Sequence, residues 1–315
     1  MIHYTCGGSL VEGFNEVLLE LATAVSVKTG VPVERLASTA SRLLSDPVFT
    51  ELTKYFDKRF KAAAAVYAAL RSMGVCVSPR CVEEYAGVSR TRFTEVLRSM
   101  GVEPCSLAGY VSYASRVLGL DDSTAADALW AARRVRVAMG GLSNSTVAAA
   151  SLYLAARGRL TQKTVSSILC VSEVSVRNIA RRMEGLLGDA LSFSLREADA
   201  PGRPRGSLML ELLGGGGVAA GLTLLEPGVE PWRSVTASAG LPLEGSIVLA
   251  EATGRLEHMG IAVGRALSYL CLKGYRVVWT HLSNLAPVLV GEGFKPVSYS
   301  PRLGSTIYAV SLSML

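Results

Sequence analysis

The sequence predicts a multidomain protein of mixed class: two tandem all-α repeats over 1–103 and 104–198, a linker over 199–206, and a small α+β domain over 207–315. Three observations carry this reading. At ~150 residues per domain, the 315 residues make about two domains, each able to bury a core. Apolar residues recur at three- and four-residue steps up to about residue 198 and change pattern after it. Inside the helical part, two segments repeat each other.

Composition narrows the class further. Half the residues are hydrophobic and 18% are charged, which excludes a largely disordered chain. Mean hydropathy is positive, yet the most apolar run, Leu212–Leu225, is 14 residues long with five glycines. A spanning helix needs ~20 residues. Met1–Leu10 has no basic start, and Glu12, Glu16 and Glu20 interrupt the apolar stretch after it, so no signal peptide is expected. A soluble, cytoplasmic protein without a membrane partner is the resulting expectation. Cysteines 6, 76, 81, 105, 170 and 271 form no CxxC pair and no zinc spacing. Reduced, buried thiols and no metal are expected.

Taken in order, Val17, Leu18, Leu21, Ala24 and Val25 make one helical face, and Leu36, Ala40, Leu43 and Leu44 another. Glycine and proline sit at the joints, Gly30-Val-Pro32 and Gly101-Val-Glu-Pro104. The run Ala62–Arg71, followed by Ala86-Gly-Val-Ser89, returns as Val147–Arg157 followed by Leu169-Cys-Val-Ser172. Tyr67 and Tyr153 are 86 residues apart and Val88 and Val171 are 83 apart, so a helical unit is duplicated with a three-residue change in one loop. Small side chains let neighbours pack close, which makes each alanine-rich helix the expected buried hub of its unit. Asp199-Ala-Pro-Gly-Arg-Pro-Arg-Gly206 cannot continue a helix and marks the expected domain boundary. Beyond it, strands are expected at 207–212 and 218–225 around Gly214–Gly217, then at 246–250, 275–281, 295–299 and 306–312. Helices are expected at about 260–272 and 284–290, which leaves this third α+β or α/β.

Each repeat ends in a helix-turn-helix pattern. In the second copy, Thr161–Leu169 is the first helix, Cys170 lies in the turn, and the second helix runs from Ser172 to about Leu187. Val165, Leu169, Val171, Val176 and Ile179 fill the five core positions, and small Ser166 sits at the crossing. Ser172 is a good N-cap. Glu173, Val174, Arg177, Asn178 and Arg181 then point outward, and Arg, Asn and Glu are the side chains that read guanine, adenine and cytosine edges. The first copy keeps its core as Val82, Ala86, Val88, Phe93 and Val96, but has Glu83 at the crossing. Its outer face, Arg90, Thr91, Thr94 and Glu95, is less basic, so it reads as structural or protein-binding. The whole chain carries 32 Lys+Arg against 26 Asp+Glu. Leu129–Arg182 alone holds nine positive charges against Glu173, leaving the remainder slightly acidic. A localised basic segment points to a polyanion.

Val147–Ala156, Thr161–Val165 and Val171–Asn178 resemble the second cyclin-like repeat of archaeal transcription factor B and eukaryotic transcription factor IIB, and Tyr110–Leu120 is similar to the helix that opens it. The resemblance covers roughly residues 12–190. It implies tandem cyclin-like repeats, a recognition helix in the major groove of double-stranded promoter DNA, and TATA-binding protein and RNA polymerase as partners. Carried over, Ser172, Glu173, Ser175, Arg177 and Asn178 face the DNA, Arg181 extends that face, and Gln162 and Lys163 lie near phosphates. The family's zinc ribbon needs paired cysteines, whereas Cys6 stands alone, so a regulatory or variant initiation factor is expected.

Glu257–Ala262 with Val263–Leu267 is similar to the pyrophosphate loop and helix of GNAT-type N-acetyltransferases, and Asn284-Leu-Ala286 with Gly293-Phe294 to a later motif of that family. This resemblance implies an acetyltransferase-like fold with acetyl-coenzyme A as the candidate cofactor, held by backbone amides at Gly260, Ala262 and Gly264. No general base stands out, since Glu226, Glu251 and His281 qualify by type alone; no catalytic residue is therefore assigned and no cofactor is otherwise expected. The competing readings are an acetyltransferase-like enzyme with a helical targeting module and a cyclin-like scaffold that binds protein only.

Overall fold

The structure, a computed structural model, describes residues 8–87, 89–199 and 207–312. Val88, Cys6 and most of the proline- and glycine-rich linker lie outside the described residues. The chain divides into two compact units: Met1–Val117 with Ser143–Ala149 and Thr161–Val176, and Leu118–Leu142 with Ala150–Leu160 and Arg177–Leu315.

The helices run α1 (Gly8–Thr29), α2 (Val33–Leu44), α3 (Pro47–Thr53), α4 (Lys58–Ser72), α5 (Arg80–Glu83), α6 (Arg90–Ser99), α7 (Leu107–Leu118), α8 (Asp122–Ala138), α9 (Asn144–Ala155), α10 (Gln162–Leu169) and α11 (Glu173–Leu187). In the first unit, α1 and α2 pack on α4. Helix α4 starts where Asp57 accepts the Phe60 N–H, and it is buried continuously from Ala62 to Leu70, the hub expected of its alanines. The core positions of the first two-helix motif, Val82, Ala86, Phe93 and Val96, are buried. Its leading helix, α5, is only one turn long, against the eight residues of α10.

The cysteines depart from expectation. Cys76 pairs with Cys105 and Cys81 with Cys170, with Cα atoms 5.8 and 5.4 Å apart. Both separations suit a disulfide. Partners 29 and 89 residues apart leave no local spacing to read, so only the fold reveals them. Ser78 N–H donates to the Leu169 carbonyl beside the second bridge, at 3.1 Å.

The second unit is built on a mixed sheet of β1 (Ser194–Glu197), β2 (Ser207–Gly214), β3 (Gly217–Leu225), β4 (Ser246–Gly254), β5 (Val277–Thr280), β6 (Lys295–Ser300) and β7 (Ser305–Ser311). Strand order is β1-β2-β3-β4-β5-β7-β6. Among the described residues, only β4 and β5 run parallel, from Ser246↔Val277 to Leu249↔Thr280. Helices α12 (Trp232–Ser238), α13 (Leu256–Leu272) and α14 (Ala286–Gly291) complete the unit. One core gathers Leu210, Leu222, Leu249, Leu267 and Leu270, and a second gathers Val235, Val248, Trp279 and Ile307. Successive residues of β4, Val248 and Leu249, fall in different cores, as the two-residue period of a strand requires.

Two boundaries differ from expectation. Strand β1 precedes the linker and pairs with β2 (Ser194↔Leu213), so the sheet begins inside the stretch read as the second repeat. A four-residue strand followed by prolines carries too little periodicity to show in sequence. Helix α13 starts at Leu256, four residues before Gly260.

Helix α8 packs on α13 and β1. At that contact Asp127 of α8 forms an ion pair with Arg265 of α13, both nearly fully buried. Asp127 also accepts the Leu195 N–H at 3.3 Å. Arg265 donates to the Ala190 carbonyl at 2.8 Å and lies 4.4 Å over the Trp130 ring. Burial pushes the Asp127 carboxyl up and the Arg265 guanidinium down, and each charge opposes the shift of the other.

Candidate nucleic-acid interface

Helix α10 opens on Thr161, whose hydroxyl accepts the Thr164 N–H at 3.1 Å. It closes on Cys170 in the left-handed region, φ 51°. A non-glycine there carries the strain of its Cβ. The turn is tight enough for Ser172 to cap α11, accepting the Ser175 N–H at 3.0 Å. Val165, Leu169 and Val176 are fully buried, Ile179 nearly so, and Ser166 is buried at the crossing. Val171, the remaining core position, is half-buried.

On α11, Glu173, Val174, Arg177, Asn178 and Arg181 are all exposed. Spacings of three and four residues put them on one face of a single helix. Val174 is 59% exposed, an apolar side chain on an otherwise polar face. Arg182, one turn beyond Asn178, is exposed as well and adds to the expected outward residues. Lys163 is exposed in the first turn of α10 and Gln162 is half-buried. Ser175 differs from the other expected DNA-facing residues. It is half-buried, and its hydroxyl lies 2.9 Å from that of Ser172, so it completes the cap.

The basic segment is less concentrated on this motif than its charge count predicts. Arg157 donates to the carbonyls of Leu191, Ser192 and Phe193. Arg159 bonds Asp121 and Thr124, Arg136 the Leu142 carbonyl, Arg134 pairs with Glu292, and Arg133 reaches Ser268. Five of the nine charges are thus held by named partners in the second unit, and Lys163, Arg177, Arg181 and Arg182 are exposed on the motif. A charge count does not distinguish an arginine that caps carbonyls from one that faces solvent.

The acetyltransferase-like loop does not form. Arg255 is extended and α13 starts at Leu256, so the unpaired amides belong to residues 256–259. Gly260, Ala262 and Gly264 lie past that turn, where their N–H groups are committed to the helix. Ala262 is 1% exposed. A Cβ on Gly264 would meet Glu292 Oε2 at 2.7 Å and Trp130 Nε1 at 2.9 Å, so this glycine serves helix packing. Glu226 and Glu251 are not gathered into a cluster with His281, whose ring lies 5.3 Å from that of Trp232 and whose pKa is lowered by burial. Among the described residues no group of three or more His, Cys, Asp or Glu could hold a metal ion, and no described helix is long and apolar enough to cross a membrane.

Residues 108–187 match the transcription factor TFIIB repeat. Transcription initiation factor IIB of Archaeoglobus fulgidus is 33% identical over 140 residues, 40% of this chain and 42% of that protein. Transcription initiation factor IIB 4 of Halobacterium salinarum is 36% identical over 132 residues, 37% of this chain and 39% of that protein. Transcription initiation factor IIB 2 of Thermococcus kodakarensis is 30% identical over 168 residues, 49% of this chain and 54% of that protein. The chain spans about half or less of the length of these curated relatives.

Proposed function

We propose that the TFIIB repeat at residues 108–187 makes this chain a transcription factor B-like, DNA-binding protein that acts as a variant or regulatory initiation factor. The observation that carries the reading is the exposed face of α11, with Glu173, Val174, Arg177, Asn178 and Arg181 on a capped helix behind a buried turn. In this reading α11 enters the major groove of promoter DNA. Arg177 and Asn178 hydrogen-bond base edges there, and Val174 packs on a thymine methyl. Lys163, Arg181 and Arg182 neutralise phosphates, which fixes register and makes binding salt-dependent. TATA-binding protein and RNA polymerase are the proposed protein partners. Tandem helical repeats over 1–103 and 104–198 with an α+β region after them are the proposed domain plan. The acetyltransferase reading is not favoured at Gly260, Ala262 and Gly264, which lie inside α13.

Gel shifts on promoter DNA, with and without TATA-binding protein, test the reading. Arg177→Ala should cost ~1–3 kcal/mol on the preferred site and relax preference at one base pair. Arg181→Ala should weaken binding equally across sequences and flatten the salt dependence. If both variants shift DNA like the parent at low salt, the assignment of α11 as the reader fails.

A further inference from the structure

A cavity of about 750 Å³ lies in the second unit, walled by the C-terminal half of α8, the last turn of α11 and residues of β6 and β7. That volume lies within the range of small-molecule sites, ~300–1,000 Å³. Trp130, Leu186 and Leu187 supply apolar wall, and Val137 and Leu186 at the mouth are 90% and 48% exposed.

The charged groups of the wall are unbalanced. Arg133, Arg134 and Lys295 face a single carboxylate, Glu292. Arg134 pairs with Glu292, whose side chain is 8% exposed. Among the described residues Arg133 has one long bond, Nη1 to Ser268 Oγ at 3.4 Å, and burial pushes its guanidinium down despite Glu292 nearby. Lys295 is exposed and joins no ion pair among the described residues. Trp130 is 3% exposed, and its indole N–H meets no acceptor among the described residues. Burying a donor without a partner costs free energy. Here an arginine that shares Glu292 with Arg134 and an exposed lysine line one apolar chamber, beside a buried indole whose N–H lies against Gly264.

We infer that this cavity binds an amphipathic organic anion, its apolar body between Trp130, Leu186 and Leu187 and its single acidic head on Arg133 and Lys295. The excess positive charge selects an anion over a neutral or cationic guest. The apolar walls select a molecule with a hydrocarbon or aromatic body over a small inorganic ion. None of these residues belongs to the outward face of α11, so the inference stands apart from the DNA reading.

Isothermal titration calorimetry of the full chain with decanoate and with decanol tests this. Decanoate should bind saturably at one site and about tenfold more tightly than decanol, the scale of one charge-assisted hydrogen bond. Lys295→Gln should weaken decanoate about tenfold, and Leu186→Trp, which fills the chamber, should abolish saturation. Both positions are exposed, and a thermal melt checks that each variant is folded. No saturable heat with decanoate, equal affinity for decanol, or unchanged decanoate affinity in either folded variant would overturn the site.

Discussion

A methyl group added at Gly264 would press on Trp130, a ring already covered by the Arg265 guanidinium at 4.4 Å. Glu292 is held by Arg134 and the indole is buried, so neither yields without cost. Relief of glycine's poor helix propensity is worth about 1 kcal/mol, whereas overpacking costs roughly 1–3 kcal/mol. Gly264→Ala should therefore lower stability by about 1 kcal/mol in a denaturant titration. Gly260→Ala, with nothing within 4 Å of its added Cβ, should raise it by up to about 1 kcal/mol. A gain at both positions would show that Gly264 is not a packing residue. Sequence alone shows glycines near a helix start and cannot tell an anion cradle from a close approach. That distinction depends on Trp130 and Glu292, 134 and 28 residues away in the chain.

Among the elements, α8 shows how a helix start sets a pH response. Asp121 accepts from the Thr124 N–H and hydroxyl, both at 2.8 Å, and from Ser123. Partial burial alone would raise its carboxyl, but these bonds outweigh it and hold the group below the ordinary carboxylate range. As pH falls, the unfolded chain takes up this proton first. The contribution of Asp121 is therefore complete above about pH 4 and is lost as pH drops through the folded-state value. Asp121→Ala should cost about 1 kcal/mol near neutrality, and its gap from the parent should close in melts at progressively lower pH. A gap that stays constant down to pH 2 would contradict this origin. The cap was legible in principle, as an aspartate before an apolar-periodic run. So were α4, the caps at Thr161 and Ser172, and both long strands around Gly214–Gly217, because periodicity and capping are local. Strand β1 and helix α12 were not, being four and seven residues long and stabilised by what they pack against.

For the molecule as a whole, the sheet begins before the proline- and glycine-rich segment, and α8 buries Asp127 and Trp130 against α13. A chain cut after Ala198 would leave Asp127 without Arg265 and expose the apolar side of α8. An unpaired buried charge costs about 3–5 kcal/mol. The cut chain is expected to lose cooperative thermal unfolding by circular dichroism or to aggregate. A sharp melt at the parent's temperature would instead support the boundary at 198 as an independent domain edge. The sequence pattern places the change of secondary structure near 199, five residues after the first strand begins at Ser194, while the exposed residues of α11 follow from helical spacing. It could not divide nine clustered charges between carbonyl caps, ion pairs and an exposed face, because the partners of Arg134, Arg157 and Arg159 come from distant segments.

The two disulfides interleave along the chain, since Cys81 lies between Cys76 and Cys105, and Cys105 between Cys81 and Cys170. The backbone from 76 to 170 is therefore two overlapping covalent rings that share the stretch 81–105. Cutting any one peptide bond within those rings leaves a single covalent molecule. In the oxidised protein, the turn that carries Cys170 stays tethered to the first repeat even after its connecting chain is severed.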